Sequence, residues 1–332
     1  MTAAATTRGR TPSRRRPTRK LETALLTELG DGALVAGMDE VGRGALAGPV
    51  TVGVAVVGAM TSRRLPHGLA DSKLLTAHAR EDLVEPIRRW CAGSAVGHAS
   101  PAEIDELGII AALRLAGRRA LAELAGAGLA PAVVVLDGVH NWLSAPEQGD
   151  LFAPEPPEIF VPGTGLPLTT PPVQTQVKAD MTCAVVAAAS VVAKVERDRI
   201  MVGLDGDFPA YRWASNKGYS APEHVAALHE HGACELHRRS WHLPGLGEAA
   251  GDIALPAEAT EDAYAGEGPE AESFDGAGYG GEADDGDGPA AEPLWDAAGG
   301  TGLPDAPAEA AGQVTAPADG VAAGPGALVG RA

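Results

Sequence analysis

Asp39 and Glu40 close the apolar run "ALVAGMDEV", Asp137 closes "PAVVVLDGV", and Asp180 opens the apolar stretch "DMTCAVVAAASVVAKVERDRIMVGL". Four carboxylates drawn together would repel one another and take up protons more readily, unless a hard cation neutralised them. Such an all-oxygen donor set suits Mg²⁺ or Mn²⁺, and two such ions about 3.5–4 Å apart can activate a water and stabilise a leaving oxygen in phosphodiester hydrolysis. Taken singly, each acid also reads as a cap, a turn residue or a solvated side chain. Neighbours on a regular strand point to opposite faces, so a site shared by Asp39 and Glu40 calls for a bend at Gly42.

The positioning elements follow from pattern. "ALVAGMDEV" and "PVTVGVAVVGA" read as strands flanking the Gly-rich "GRGALAG", and "SAVGHAS" as a third strand completing a meander. "TAHAREDLVEPIRRWC" and "PAEIDELGIIAALRLAGRRALAELAGAG" carry helical spacing, the second as one long helix ending in Gly. "PAVVVLDGV" is the pattern of a buried strand that delivers a carboxylate at its tip. A Pro-rich stretch over 143–172 reads as irregular loop, and "VQTQVKAD" as a strand leading into a helix at whose start Asp180 sits, where the dipole favours negative charge. This order predicts an α/β sandwich around a mixed sheet.

Composition confines the folded part. From about residue 249 the chain turns to Ala, Gly, Pro and acids without periodicity, the pattern of a disordered tail. Residues 1–29 read as a disordered basic arm, which leaves 30–248 for the globular domain. The net charge of −18 disfavours a nucleic-acid binder at first sight, but most of it falls in the tail. Three cysteines at unrelated spacings argue against a disulfide framework and for a reducing compartment. With no signal peptide and no membrane-spanning run, the expected location is the cytoplasm.

The segments "GMDEVGRGALAGPV", "DSK" at 71–73, "LDG" at 136–138, "KADMTCAVVAAASVVAKVERD", "NKGY" at 216–219 and "HRRS" at 237–240 together resemble the ribonuclease HII family, in family order, over about 35–242. The resemblance implies a ribonuclease H-like fold with a C-terminal helical extension. It also implies cleavage of RNA in RNA–DNA hybrids and nicking 5′ to ribonucleotides embedded in duplex DNA, with Mg²⁺ or Mn²⁺, leaving 3′-hydroxyl and 5′-phosphate ends. It makes Asp39, Glu40, Asp137 and Asp180 the metal-binding acids, and gives the backbone of Gly42, Arg43 and Gly44, with Tyr219, the reading of the ribose 2′-hydroxyl. Tyr219 reads equally well as a core ring. The related ribonuclease HIII fits less well, because of the Gly42-Arg43-Gly44 turn and the lack of a folded N-terminal substrate-binding domain. One departure stands out: 43 positions separate Asp137 from Asp180, longer than the family pattern, so the Pro-rich stretch reads as an insertion and leaves the pairing of its flanking strands open. A monomer acting on hybrid and on ribonucleotide-containing duplex is the expectation, with protein partners undetermined.

Four of the five lysines, Lys73, Lys178, Lys194 and Lys217, fall inside these motifs in an otherwise Arg-rich chain. This suggests positions that need a compact ammonium for phosphate contact or carboxylate pairing, with Lys73 assigned to substrate. Two other signals compete. "GRGALAG" fits a dinucleotide-binding turn, but a Pro-led β-branched run follows it where a helix is required. His229, His231, Cys234 and His237 have compact metal-ligand spacing, yet on a helix they spread over several faces and read better as solvated or capping residues. A catalytically silent hybrid binder is the remaining alternative, and the presence of all four acids argues against it.

Overall fold

The computed structural model describes residues 16–145 and 156–246. The elements run α1 (Lys20–Leu29), β1 (Leu34–Val41), β2 (Val50–Gly58), α2 (Ala77–Trp90), β3 (Gly93–Ala99), α3 (Pro101–Leu107), α4 (Ile109–Gly126), β4 (Val133–Asp137), β5 (Val173–Gln176), α5 (Ala179–Thr182), α6 (Ala184–Asp205), α7 (Trp213–Asn216) and α8 (Pro222–His231). The five strands form one mixed sheet in the order β3-β2-β1-β4-β5, with β1, β2 and β3 antiparallel neighbours and β4 and β5 parallel to β1. The strand alternation expected of the sequence is met on both faces. Val35, Ala55, Val133 and Val135 pack with α6, whereas Ala36, Met38, Val54 and Leu136 pack with Leu113, Ala116 and Ala120 of α4.

The helices lie unusually close because small residues meet small residues. A Cβ on Gly53 would stand 2.3 Å from the Ala189 carbonyl oxygen of α6, closer than any real contact. The alanines of α6 give that helix the flat face needed to sit against β1 and β2, and a helix seated so firmly fixes whatever it carries at its N-terminal end.

Three expectations need correction. The predicted arm over 1–29 is too long: residues 20–29 form α1, whose Leu21, Leu25 and Leu26 supply an apolar stripe packed on the α6 side of the sheet. Before α1, Thr18 exchanges backbone hydrogen bonds with Thr182 (2.9 Å) and Ala184 (3.0 Å), strapping the α5–α6 junction. The long helix expected over 101–128 is instead α3 and α4, separated at Gly108, whose φ of 76° leaves the helical region. The helix expected from Asp180 onward also divides, with Cys183 in extended conformation between α5 and α6. The Pro-rich insertion does not disturb the pairing of its flanks: β4 and β5 lie side by side, Val134 opposite Val173. Trp142 and Leu143 at its start are buried in the core. The start of the arm, the middle of the insertion and the tail from 249 lie outside the described residues. Among the described residues, no helix is long and apolar enough to cross a membrane.

Candidate active site

The site forms where β1 and β4 end. Parallel register places Met38 opposite Leu136, which sets Asp39 beside Asp137 one position further on. Both strands expose odd-numbered side chains toward α6, so the two carboxylates emerge on the same face. Asp180, buried in the first turn of α5, approaches from the helical side. Glu40 leaves by the opposite face. The strand stays regular through Val41, opposite Thr51, so no bend at Gly42 turns Glu40 toward the others. It comes within electrostatic reach of Asp137 around the strand end.

Second contacts orient each acid. Asp137 Oδ1 accepts the Ala179 amide at 2.6 Å and Asp39 Oδ1 accepts the Glu40 amide at 2.9 Å. Ser190 of α6 lowers the Asp39 pKa, and its Oγ is 2.8 Å from Ser72 Oγ. Glu40 pairs with the Arg43 guanidinium at 3.4 Å.

Burial is the first cause of a raised pKa at all four acids, and neighbouring carboxylates add to it at Asp39, Glu40 and Asp180. Burial, then Glu40 and Asp137, hold the Asp39 carboxyl well above the usual carboxylate range. Burial raises Glu40, with the Arg43 charge opposing. Burial also raises Asp137 against the amides of Ala179, Asp180 and Gly138 and the Lys73 charge. Asp180 is pushed up to about 6, by burial first and then by Asp137 and Asp71. Among the described residues, no three His, Cys, Asp or Glu side chains are already drawn into a closed ligand shell. The donor chemistry nevertheless fits a hard divalent cation: four carboxylates whose charges each disfavour the next, with Lys73 and Arg43 as the nearby cations.

Beside the acids lies a second constellation. The loop from Gly42 to Pro49 joins β1 to β2, and the Gly42 amide donates to Tyr219 Oη at 3.2 Å. Tyr219 is half-buried. Because its oxygen accepts, the phenolic proton is left to donate elsewhere. Gly42 sits at φ 80°, and a Cβ there would fall 2.0 Å from Arg197 Nε, so only glycine fits.

A family model described as Ribonuclease HII matches residues 36–243. The ribonuclease HII of Streptomyces avermitilis is 44% identical over 225 residues, 68% of this chain and 83% of that protein. That of one Thermus thermophilus strain is 43% identical over 211 residues, covering 63% and 86%. The chain belongs to the ribonuclease HII family. It is accordingly an endonuclease hydrolase of the type HII ribonuclease H class. Among solved structures, the ribonuclease HII in the PCNA:RNase HII complex from Archaeoglobus fulgidus is 28% identical, covering 62% of this chain and 93% of that one at a TM-score of 0.45.

Sequence reasoning missed several residues around this candidate site of the ribonuclease HII. Ser190, Asp71, Arg197 and Arg238 all lie within motifs quoted for the resemblance, but nothing in their spacing places them behind Asp39, beside Asp180 or under the Gly42 loop. Of the lysines, Lys194 pairs with Asp198 at 2.9 Å and lies over the Tyr219 ring, Lys73 lowers the pKa values of Asp137 and Asp180, and Lys178 and Lys217 adopt left-handed backbone. The His/Cys group does not converge: His229 and His231 are exposed on α8, whereas His237 is buried between Cys234 (Sγ to Nδ1, 3.2 Å) and His224 (Nε2 to Nε2, 3.0 Å).

Proposed function

We propose that this ribonuclease HII hydrolyses the RNA strand of RNA–DNA hybrids and nicks 5′ to ribonucleotides embedded in duplex DNA, in the cytoplasm, by a two-metal-ion mechanism that serves ribonucleotide removal. The observation that carries the reading is the arrival of Asp39, Asp137 and Asp180 from two strand ends and one helix start, with Glu40 within electrostatic reach of Asp137 around the strand end, beside a turn whose Gly42 amide donates to the Tyr219 hydroxyl. Asp39, Glu40, Asp137 and Asp180 would hold Mg²⁺ or Mn²⁺, which supply Lewis acidity and water activation when bound.

The remaining work falls to the chain. The amides of Ala179 and Glu40 hold Asp137 and Asp39 in orientation, and Lys73 offers a positive charge at the same edge. Tyr219 Oη, already accepting from Gly42, donates to the 2′-hydroxyl of the ribonucleotide, and the backbone of Gly42, Arg43 and Gly44 completes the contact. A deoxyribose leaves those groups without a partner, a buried loss that discriminates strongly. Attack of water on phosphorus with departure of O3′ yields 3′-hydroxyl and 5′-phosphate ends.

The test is cleavage of a labelled DNA duplex carrying one ribonucleotide, with Mg²⁺, Mn²⁺ or EDTA, by wild type and Asp137→Asn. Metal-dependent nicking 5′ to the ribonucleotide, lost in the variant, is expected. Metal-independent nicking, or full activity in the variant, refutes the assignment.

A further inference from the structure

Two guanidiniums, Arg197 on α6 and Arg238 beyond α8, are fully buried side by side beneath the Gly42–Pro49 loop. Among the described residues, the hydrogen bonds recorded for both go to backbone carbonyls. Arg238 donates to Gly42 O (2.6 Å), Arg43 O (2.8 Å) and Gly48 O (3.2 Å), and Arg197 to Pro49 O (2.9 Å), Ala47 O (3.2 Å) and Lys217 O (2.9 Å). Burying two like charges without a bonded carboxylate is costly, and it is a poor way to stabilise a core. It is an effective way to force carbonyls to face inward.

That orientation has a consequence on the other side of each peptide. In a trans peptide the C=O and N–H point in opposite directions. With the Gly42 and Arg43 carbonyls turned in toward Arg238, the N–H groups of Arg43 and Gly44 are turned away from it. Arg197 ties in the other half, holding the Lys217 carbonyl two residues before Tyr219 while its guanidinium lies 5.3 Å from the Tyr219 ring centroid. The loop and the tyrosine are thereby set in one frame.

We infer that Arg238, backed by Arg197, is a positioning residue for sugar discrimination: its planar fork fixes the peptides of the Gly42-Arg43-Gly44 turn so that their amides meet a ribose 2′-hydroxyl. The inference rests on the reading of that turn and Tyr219 given above. It requires a fork. One lysine nitrogen cannot span the Gly42, Arg43 and Gly48 carbonyls in a single plane, so Arg238→Lys keeps the charge and loses the geometry.

The experiment compares wild type, Arg238→Lys and Tyr219→Phe in Mn²⁺, measuring KM for a duplex with one ribonucleotide and the inhibition constant of the all-DNA duplex of the same sequence. For Arg238→Lys, KM is expected to rise about tenfold, the worth of one good hydrogen bond to a polar group, with the all-DNA constant within about twofold of wild type. A purely structural defect would lower the active fraction and leave the ratio of the two constants alone. A folded Arg238→Lys with an unchanged ratio, while Tyr219→Phe shifts it, overturns the role of Arg238. An unchanged ratio in both overturns the 2′-hydroxyl reading beneath it. Amide exchange of wild type stands independent of how the variants fold: protection comparable to β1 is expected at Gly42 and over 45–48, whose amides are hydrogen-bonded, with faster exchange at Arg43 and Gly44, and exchange of 45–48 at open-loop rates overturns the inference.

Discussion

Glu22 lies in α1, within the segment that composition assigned to an arm, yet it is fully buried and its Oε1 accepts the Val185 amide of α6 at 2.9 Å. No side chain of α6 caps that helix, so Glu22 does so from outside, at the positive end of the dipole. Glu22→Ala removes a cap, at about 1–2 kcal/mol, and leaves a buried amide without its acceptor, at about 1–3 kcal/mol. These costs overlap, and the expected loss is about 2–4 kcal/mol, a fall in Tm of roughly 5–15 °C for a domain of this size. Glu22→Gln keeps an acceptor oxygen and should cost less. Its pH dependence has a definite sign. Burial raises the Glu22 pKa in the folded protein, against the Val185 and Ala184 amides and the Arg19 charge. The stability contributed by the acid is therefore fully present below its unfolded pKa and is lost as pH rises through the folded one. Glu22→Gln should accordingly gain on wild type as pH increases. Thermal unfolding followed by circular dichroism between pH 4 and pH 8 reads both effects. A Glu22→Ala protein within about 0.5 kcal/mol of wild type would refute the capping role, and a wild-type advantage over Glu22→Gln that grows with pH would refute the raised pKa.

Three further outcomes are expected. Asp39→Asn, which relieves the repulsion of Glu40, Asp137 and Asp180, should abolish cleavage while raising Tm in EDTA; Mn²⁺ at about 100 times its Kd should stabilise wild type by about 2.7 kcal/mol and the variant by less, a difference that differential scanning fluorimetry checks. His237 is held down to about 4 by burial and then by His224, so its contribution is intact above its unfolded pKa and is lost as pH falls through the folded value; the acid limb of a urea-unfolding series should flatten in His237→Asn. Truncation after residue 248 should leave the unfolding midpoint unchanged, because among the described residues both hydrophobic clusters lie between Leu21 and Trp241, and a midpoint lowered by several degrees would place part of the core in the tail.

Sequence by itself determined the strand and helix periods, the meander, and the identity of four carboxylates at element ends, because alternation of Val with small residues and the Asp endings of "GMDEV" and "VVVLD" are local patterns. It also supported the family, through motifs long enough to be specific. It could not decide α1, since "KLETALLTEL" is short and flanked by basic and Gly-rich sequence, and its stability comes from Glu22 and three leucines meeting α6. Nor could it decide whether Glu40 shares a face with Asp39: strand regularity up to Val41 and the parallel register with β4 settle that in three dimensions. The clamp of Arg197 and Arg238 belongs to the same class. Each arginine sits far along the chain from Gly42, in a motif whose spacing gives no hint of direction, and only the packing of α6 and the segment after α8 beneath one loop turns two buried charges into a device that aims a backbone.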